Sequence, residues 1–505
     1  MHISILSTFD SFGGASIAAM RLWKGLRLLN REAVMIVMHK QTNQPYIYPV
    51  SLPSPQVETE RKIFWNIRQK EIEENRTSLS NTRFSFPYPG YDLSETEVIH
   101  RSDIINLHWV AEFQSVETIA RLLETGKPVV WTLHDANAFT GGCHYSAGCE
   151  KYTEDCRDCP QLMDNHYQIP FHVLENKIAS WRKKLTIVTP SRWLGECARK
   201  SQLFRNSRVE VIPNSLETDI FKPREQKQAR KEIKSDPQAL TLLFGAATGN
   251  EKRKGFYKLL QAMKYCLQDT TFRNLAINGR IKILTFGPPQ EDLEKLEIEI
   301  KSLGYVHDNN HLAAIYSAAD IFILPSLEDN LPNTVLEAMA CGTPVIAFDA
   351  GGIPDMIEND VTGYLAPGFD PREMGTSILK LLFDQDKRRQ MSLNCRQVIE
   401  QKFKLKDQAG LYLELFHDLL PGNRDKKIGK ERESGGCGVC GNITGKEEEI
   451  LLTAYESKVH YAFFGLYHKW AIHVNIQDKS LVGKMRRYMK RFLKKVKKVI
   501  RKILA

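Results

Sequence analysis

Short apolar runs, each followed by a polar or glycine-bearing turn and an apolar stripe at helical spacing, recur along most of the chain. Residues 3–7 read as a strand, Gly13–Gly14 as a turn, and Ile17, Met20, Leu22 and Leu26 as one face of a helix; residues 34–38 form the next strand. The rhythm resumes at residues 104–107 and 129–133, continues at 185–189 and 209–212, and runs on through 241–245, 281–287, 321–324 and 345–348. Helices are expected at 333–340, 374–382, 388–402 and 406–420. Fully apolar strands alternating with helices predict parallel sheets of the α/β class. Residues 41–100 break the pattern: one helix fits 57–73, and the remainder, with Pro87, Pro89 and Gly90, reads as irregular. A long irregular insertion in a compact domain is often functional.

At 505 residues the chain is too long for one core, which predicts two domains plus extensions. The net charge of +10 is unevenly placed, because residues 484–502 hold eleven Lys or Arg and no acid. The body is therefore nearly neutral, which argues against a nucleic-acid-binding body with its own basic face. Met1-His2-Ile3 runs into an apolar strand without a basic leader, and no stretch reaches the roughly 18 apolar residues of a membrane span, so a cytoplasmic body is expected.

Candidate chemistry is densest at PSLEDNLPNTVLEAMACGTPVIAFDAGGIPDMIENDVTGYLAP, residues 325–367. A strand ends in Pro325–Ser326; Glu328, Asp329 and Asn330 follow in a loop; Glu337 lies one turn into the next helix. Ligands of open parallel sheets bind beyond the carboxyl ends of the strands, so these groups sit at a crevice rim. Taken singly, such carboxylates read equally well as helix caps. The whole string resembles the signature of the retaining glycosyltransferases of family 4, which have the GT-B fold: two Rossmann-like domains facing each other across a cleft. In that family an acidic pair separated by seven residues precedes Ala-Met-Ala-x-Gly-x-Pro-Val. The resemblance implies that Glu337 binds the donor ribose and that either Asp329 or Glu328 contacts the donor sugar.

The likeness extends over residues 1 to about 420. It implies domains at 1–205 and 206–400, a helix at 401–422 crossing back to the first domain, and an extension at 423–505. Lys254 matches a family lysine that grips the donor diphosphate. The usual arginine position holds Gly249, a departure from the pattern, with Arg253 as its replacement. A solvated basic turn is the alternative, although cations at a helix start oppose its dipole unless an anion binds. His134, at the end of a strand, matches the family histidine near the reaction centre, and His108–Trp109 is a candidate acceptor contact. Gly13, Gly14, Gly287, Val306, Asn330, Leu331 and Asn333 complete the expected donor site. The implied donor is a UDP- or GDP-sugar, the acceptor a saccharide or lipid-linked saccharide in cell-surface polysaccharide synthesis, and catalysis needs no metal. A non-catalytic membrane scaffold and a sugar-nucleotide epimerase of the same fold are the rival readings.

Cys143, Cys149, Cys156 and Cys159, with His144 beside them, fall in one loop that resembles one found in a polysaccharide-synthesis subset of the family. A structural zinc, reduced thiols packing the loop, and disulfides are all open to them. Cys437 and Cys440 form a second C-x-x-C in a charged, Gly-rich linker. Residues 484–505 repeat apolar positions at helical spacing among cations, which predicts a helix lying on an anionic membrane surface, each close cation contributing about 1 kcal/mol. The expected location is the inner face of the plasma membrane, with no specific nucleic acid partner.

Overall fold

The computed structural model describes residues 1–51, 55–163, 167–181, 185–245, 251–288, 293–420 and 450–451. Gly249, the second C-x-x-C and the basic segment 484–505 lie outside the described residues. Among those described, no helix is long and apolar enough to cross a membrane.

Two parallel sheets organise the chain. The first contains β1 (His2–Phe9), β2 (Glu32–His39), β3 (Ile47–Ser51), β4 (Ile104–Leu107), β5 (Val129–Thr132), β6 (Leu185–Thr189) and β7 (Arg208–Val211). The second contains β8 (Leu240–Gly245), β9 (Ile281–Phe286), β10 (Glu299–Ser302), β11 (Ile321–Leu324), β12 (Val345–Phe348) and β13 (Gly363–Ala366). A two-residue strand, β14 (Ile450–Leu451), closes the first sheet, whose order is β14-β3-β2-β1-β4-β5-β6-β7; the second runs β10-β9-β8-β11-β12-β13. In each sheet the direction of build reverses beside the first strand, between β1 and β4 and between β8 and β11. Crevices form at such switch points, outside the carboxyl ends of the strands.

The first sheet is buried on both faces by alternation along each strand. Leu6, Ile36, Leu107, Trp131 and Ile187 face one core. Ile5, Met35, Val130 and Val188 face another, which the closing helix Leu405–Leu419 completes with Ala409, Tyr412 and Phe416. That helix packs on the first helix, Gly14–Leu28, where a Cβ on Gly25 would lie 2.4 Å from the Leu405 carbonyl oxygen. The second sheet has one continuous core that includes Leu243, Ile283, Ile323, Leu336 and Ile346.

Three elements of the fold differ from the pattern expected of the sequence. β3 lies in the stretch taken as irregular; Pro49 argues against a strand, but β3 needs a full ladder only toward β2, since β14 meets it at just Val50 and Ser51. β10, with the polar sequence EIKS, is a half-exposed edge strand without an apolar run to announce it. The boundary expected at 205/206 falls before β7, which pairs with β6 and extends the first sheet to Val211.

Helix docking at Gly25 is a steric requirement. Gly25→Val should lower stability by about 1–3 kcal/mol through overpacking, read from the urea midpoint. Gly410→Ala lies in the closing helix where a Cβ meets nothing within 4 Å; it should be neutral or stabilising by up to about 1 kcal/mol.

Candidate active site

The loop leaving β11 and the turn after β8 are built against each other. Gly255 has φ +66°, and a Cβ there would stand 1.8 Å from the Pro325 carbonyl oxygen, so only glycine fits. The Leu327 N–H donates to the Arg253 carbonyl at 2.6 Å. This close approach sets Lys254 Nζ 2.7 Å from Asp329 Oδ2, with Arg253 Nη1 3.5 Å from Oδ1. Asp329 is buried, but Lys254 and Arg253 outweigh that burial and hold its carboxyl below the ordinary value. Burial and then the Arg253 charge lower Lys254. Arg253 is raised despite burial, by Tyr145 and the surrounding carboxylates, and its guanidinium lies 3.9 Å over the Tyr145 ring.

Glu328, next in the chain, turns the other way. Its carboxylate accepts from the Ser146 N–H at 3.2 Å and the Ala147 N–H at 3.0 Å, both in the cysteine-bearing loop of the first domain. Burial raises its pKa, and those N–H groups only partly offset the rise. Of the two acids, Asp329 is therefore the one paired with Lys254.

Glu337 lies in the helix Asn333–Ala340 and accepts from Arg21 Nη2 at 2.8 Å and from the Tyr316 hydroxyl at 3.1 Å. Arg21 comes from the first helix and also donates through Nε to Glu217 at 2.8 Å, while Lys24 reaches Glu217 at 2.6 Å. Arg21 Nη1 is buried without a hydrogen-bond partner. Burial raises Glu337, with Arg21 and Tyr316 partly compensating. Burial also pushes Glu217 up, but Arg21 and Lys24 overcome it and bring it down to about 2. Sequence reasoning missed Arg21 and Glu217. The available signal was a cation at i+4 from Ile17 on the apolar face of the first helix.

His134 follows β5 and is joined to the second domain through its backbone, the carbonyl accepting from Asn330 Nδ2 at 3.2 Å. Its Nε2 is 2.9 Å from His108 Nδ1, at the end of β4, and burial lowers it to about 4. Asp135 Oδ2 accepts from Trp109 Nε1 at 2.8 Å and pairs with His144 Nδ1 at 2.7 Å; His144 Nε2 meets Ser85 Oγ at 2.8 Å. His108, Trp109, His134 and Asp135 border a cavity of about 20 Å³.

The remaining expected donor-site residues divide. Gly13 (φ +82°) opens the first helix with no atom within 4 Å of a Cβ, and the Gly14 carbonyl accepts from Asn333 Nδ2 at 2.9 Å. Gly287 (φ +97°) bonds the Gly304 carbonyl, and Val306 packs on the second core. The Asn330 side chain is used by Ser191 and the His134 carbonyl, and Leu331 is buried. Those last two side chains are interdomain ties and core, not open ligand groups.

Cys143, Cys149, Cys156 and Cys159 border one cavity of about 20 Å³, and all four are free thiols. Burial pushes Cys143 well up, Cys156 to about 12 and Cys159 to about 11. Among the described residues no group of three or more His, Cys, Asp or Glu is arranged to hold a metal ion, and His144 is turned to Ser85 and Asp135.

Residues 239–384 match the family model described as Glycosyl transferases group 1. Among curated relatives, the N-acetyl-alpha-D-glucosaminyl L-malate synthase of Bacillus anthracis is 23% identical over 376 residues, 73% of this chain and 88% of that protein. The D-inositol 3-phosphate glycosyltransferase of Corynebacterium jeikeium is 29% identical over 194 residues, 36% of this chain and 45% of that protein. Among solved structures, sucrose-phosphate synthase from Thermosynechococcus elongatus superposes with TM-score 0.58 at 18% identity, covering 83% of this chain and 99% of its own. HepE of Anabaena in complex with UDP-glucose gives 0.54 at 15% identity, with 82% and 100% covered.

The Glu217 pair predicts an acid-sensitive step. A carboxylate whose folded pKa is depressed contributes stability that is present above its ordinary value, 4.5, and is lost as pH falls toward 2. Wild type should lose roughly 3 kcal/mol more than Glu217→Gln across that window, read by denaturant titration at successive pH values.

Proposed function

We propose that this chain, whose residues 239–384 match the model described as Glycosyl transferases group 1 within a GT-B fold of two Rossmann-like domains, moves a sugar from a nucleotide-sugar donor to a saccharide or lipid-linked saccharide, with retention at the anomeric carbon. The observation that carries this reading is the Lys254–Asp329 ion pair with Arg253, set at the switch point of the second sheet and tied through Asn330 to the carbonyl of His134, beyond the carboxyl end of β5. HepE, bound to UDP-glucose, lends support to a UDP-sugar donor.

In this reading Lys254 and Arg253 neutralise the charge that grows on the leaving diphosphate. A fixed cation pair in a water-poor cleft needs no reorganisation at the moment of reaction, which is why such groups dominate catalysis of this kind. Glu337 receives the ribose hydroxyls, since each of its oxygens keeps a second lone pair beyond Arg21 and Tyr316. Asp329 orients the sugar and holds Lys254, and His134 approaches that sugar from the first domain. A donor phosphate oxygen takes the acceptor's proton as the new bond forms on the face the diphosphate leaves, so no glycosidase-type carboxylate pair is needed. The segment 76–92 and the cysteine-bearing loop cover this cleft, with Asn81 accepting from the Lys252 N–H at 2.8 Å, and form the acceptor side.

The chemistry is tested by incubating purified protein with UDP- and GDP-sugars, with and without saccharide acceptors, and resolving products by anomeric NMR. A retained glycoside supports the reading. An epimerised donor, or no turnover of any sugar nucleotide, overturns it. Asp329→Asn and Lys254→Met should each lower kcat/KM by about 100- to 1000-fold. Glu328→Gln should cost far less, because its carboxylate faces the loop N–H groups and not Lys254.

We also propose that the basic segment 484–505 holds the enzyme on anionic membrane at the cytoplasmic face, close to a lipid-linked acceptor. Full-length protein should sediment with phosphatidylglycerol vesicles but not with phosphatidylcholine vesicles, and a chain ending at residue 480 should stay in the supernatant. Equal sedimentation of both proteins would remove the segment from that role.

A further inference from the structure

Beyond the groups that would touch a donor, β4 and β5 carry a buried hydrogen-bond chain that ends on His134. Asn106 is fully buried, and its Nδ2 lies 3.0 Å from the Val130 carbonyl oxygen and 3.1 Å from Thr132 Oγ1. A main-chain carbonyl only accepts, so the amide nitrogen, not the oxygen, must face it. Reversing the amide would set two oxygens against each other at 3.0 Å. The orientation of Asn106 is thus fixed by the β5 backbone, and its Oδ1 points to His108 Nε2 at 3.1 Å.

Oδ1 accepts, so His108 Nε2 carries a hydrogen. His108 is 3% exposed, and burial together with the neighbouring His134 disfavours a second proton. Its Nδ1 is then a bare lone pair. His134 Nε2, 2.9 Å away, must donate to it. A neutral His134 with its hydrogen on Nε2 has a bare Nδ1, and among the described residues no hydrogen bond from the protein reaches that atom.

We infer that Asn106 and His108 are positioning residues that lock His134 in the Nε2–H tautomer, presenting the lone pair of Nδ1 as a hydrogen-bond acceptor for a hydroxyl of the donor sugar. The inference rests on the placement of His134 at the donor proposed above. In the other tautomer Nδ1 would be a donor, and a sugar hydroxyl would have to turn its own lone pair toward it. The chain reaches further back, because Thr132 Oγ1 meets the Tyr412 hydroxyl of the closing helix at 2.9 Å. The crossing helix thereby buttresses the far end of the same chain.

The test reads the tautomer directly, by long-range 1H–15N correlation on full-length protein labelled at histidine, with His134→Gln assigning the His134 signals. Wild type should show a protonated Nε2 and an unprotonated Nδ1 at His134. His108→Phe removes the acceptor and should give a mixture of tautomers. His108→Gln should restore much of the wild-type signal, since its amide nitrogen can pair with Asn106 Oδ1 and its oxygen can face His134. With UDP-glucose as the donor probe, His108→Phe should lower kcat roughly 10- to 100-fold with little change in KM, and His108→Gln should recover part of the loss. A wild-type His134 protonated at Nδ1, or a tautomer that ignores His108, overturns the inference. If wild type shows the Nε2–H form but His134→Gln turns over UDP-glucose as wild type does, the chain stands and the donor placement of His134 is what fails.

Discussion

A single buried guanidinium holds the two domains in register with the candidate site. Arg21 is 2% exposed and bridges Glu217, in the segment joining the domains, to Glu337, in the signature helix. A cation taken that far from water is tolerated only when paired, and losing one partner of such a pair typically costs about 3–5 kcal/mol because the other charge stays buried. The carboxylate that the proposed donor would use is therefore also the one that anchors the first domain. Site geometry and domain arrangement draw on the same carboxylate, whose Oε1 meets Arg21 while the Tyr316 hydroxyl holds Oε2.

Around that anchor, the first domain reaches over the second with backbone as much as with side chains. The N–H groups of Ser146 and Ala147 close on Glu328, the Tyr145 ring underlies Arg253, and Asn81 receives the Lys252 N–H. All but Asn81 belong to the cysteine-bearing loop. Its thiols border a small cavity beneath it, next to a separate core of Ile72, Phe84, Phe86 and Val173. Small, weakly polar side chains fill a confined space there and leave the loop backbone free to meet the acidic rim.

What could be read from the chain follows the range of the forces involved. β11, the helix Asn333–Ala340 and β12 were legible because apolar runs, a proline-bearing turn and a Gly-Thr-Pro stop are all local. Lys254 and Gly255 were legible as a pair, although the 1.8 Å approach of Pro325 that makes the glycine necessary was not. β3 was hidden by Pro49. Arg21 was hidden because its partners lie 196 and 316 positions away, and no local pattern encodes a contact of that span. The Asn106–His108–His134 chain was hidden for a different reason: it runs across strands, and neighbours across a parallel ladder share no sequence period.

The split between Glu328 and Asp329 shows how far adjacency in sequence can mislead. Both acids satisfy the motif within one residue, and composition gives no basis for choosing. Burial tends to raise both. Asp329 gains two cations and ends below its ordinary value, whereas Glu328 gains backbone N–H groups, with the Arg253 charge only a lesser influence, and ends above it. At Glu328 two amide N–H groups do not offset burial, whereas at Asp329 two full charges do. Two neighbouring carboxylates are thus shifted in opposite directions by their surroundings. Asp329 belongs with the charge at Lys254, and Glu328 belongs with the contact between domains.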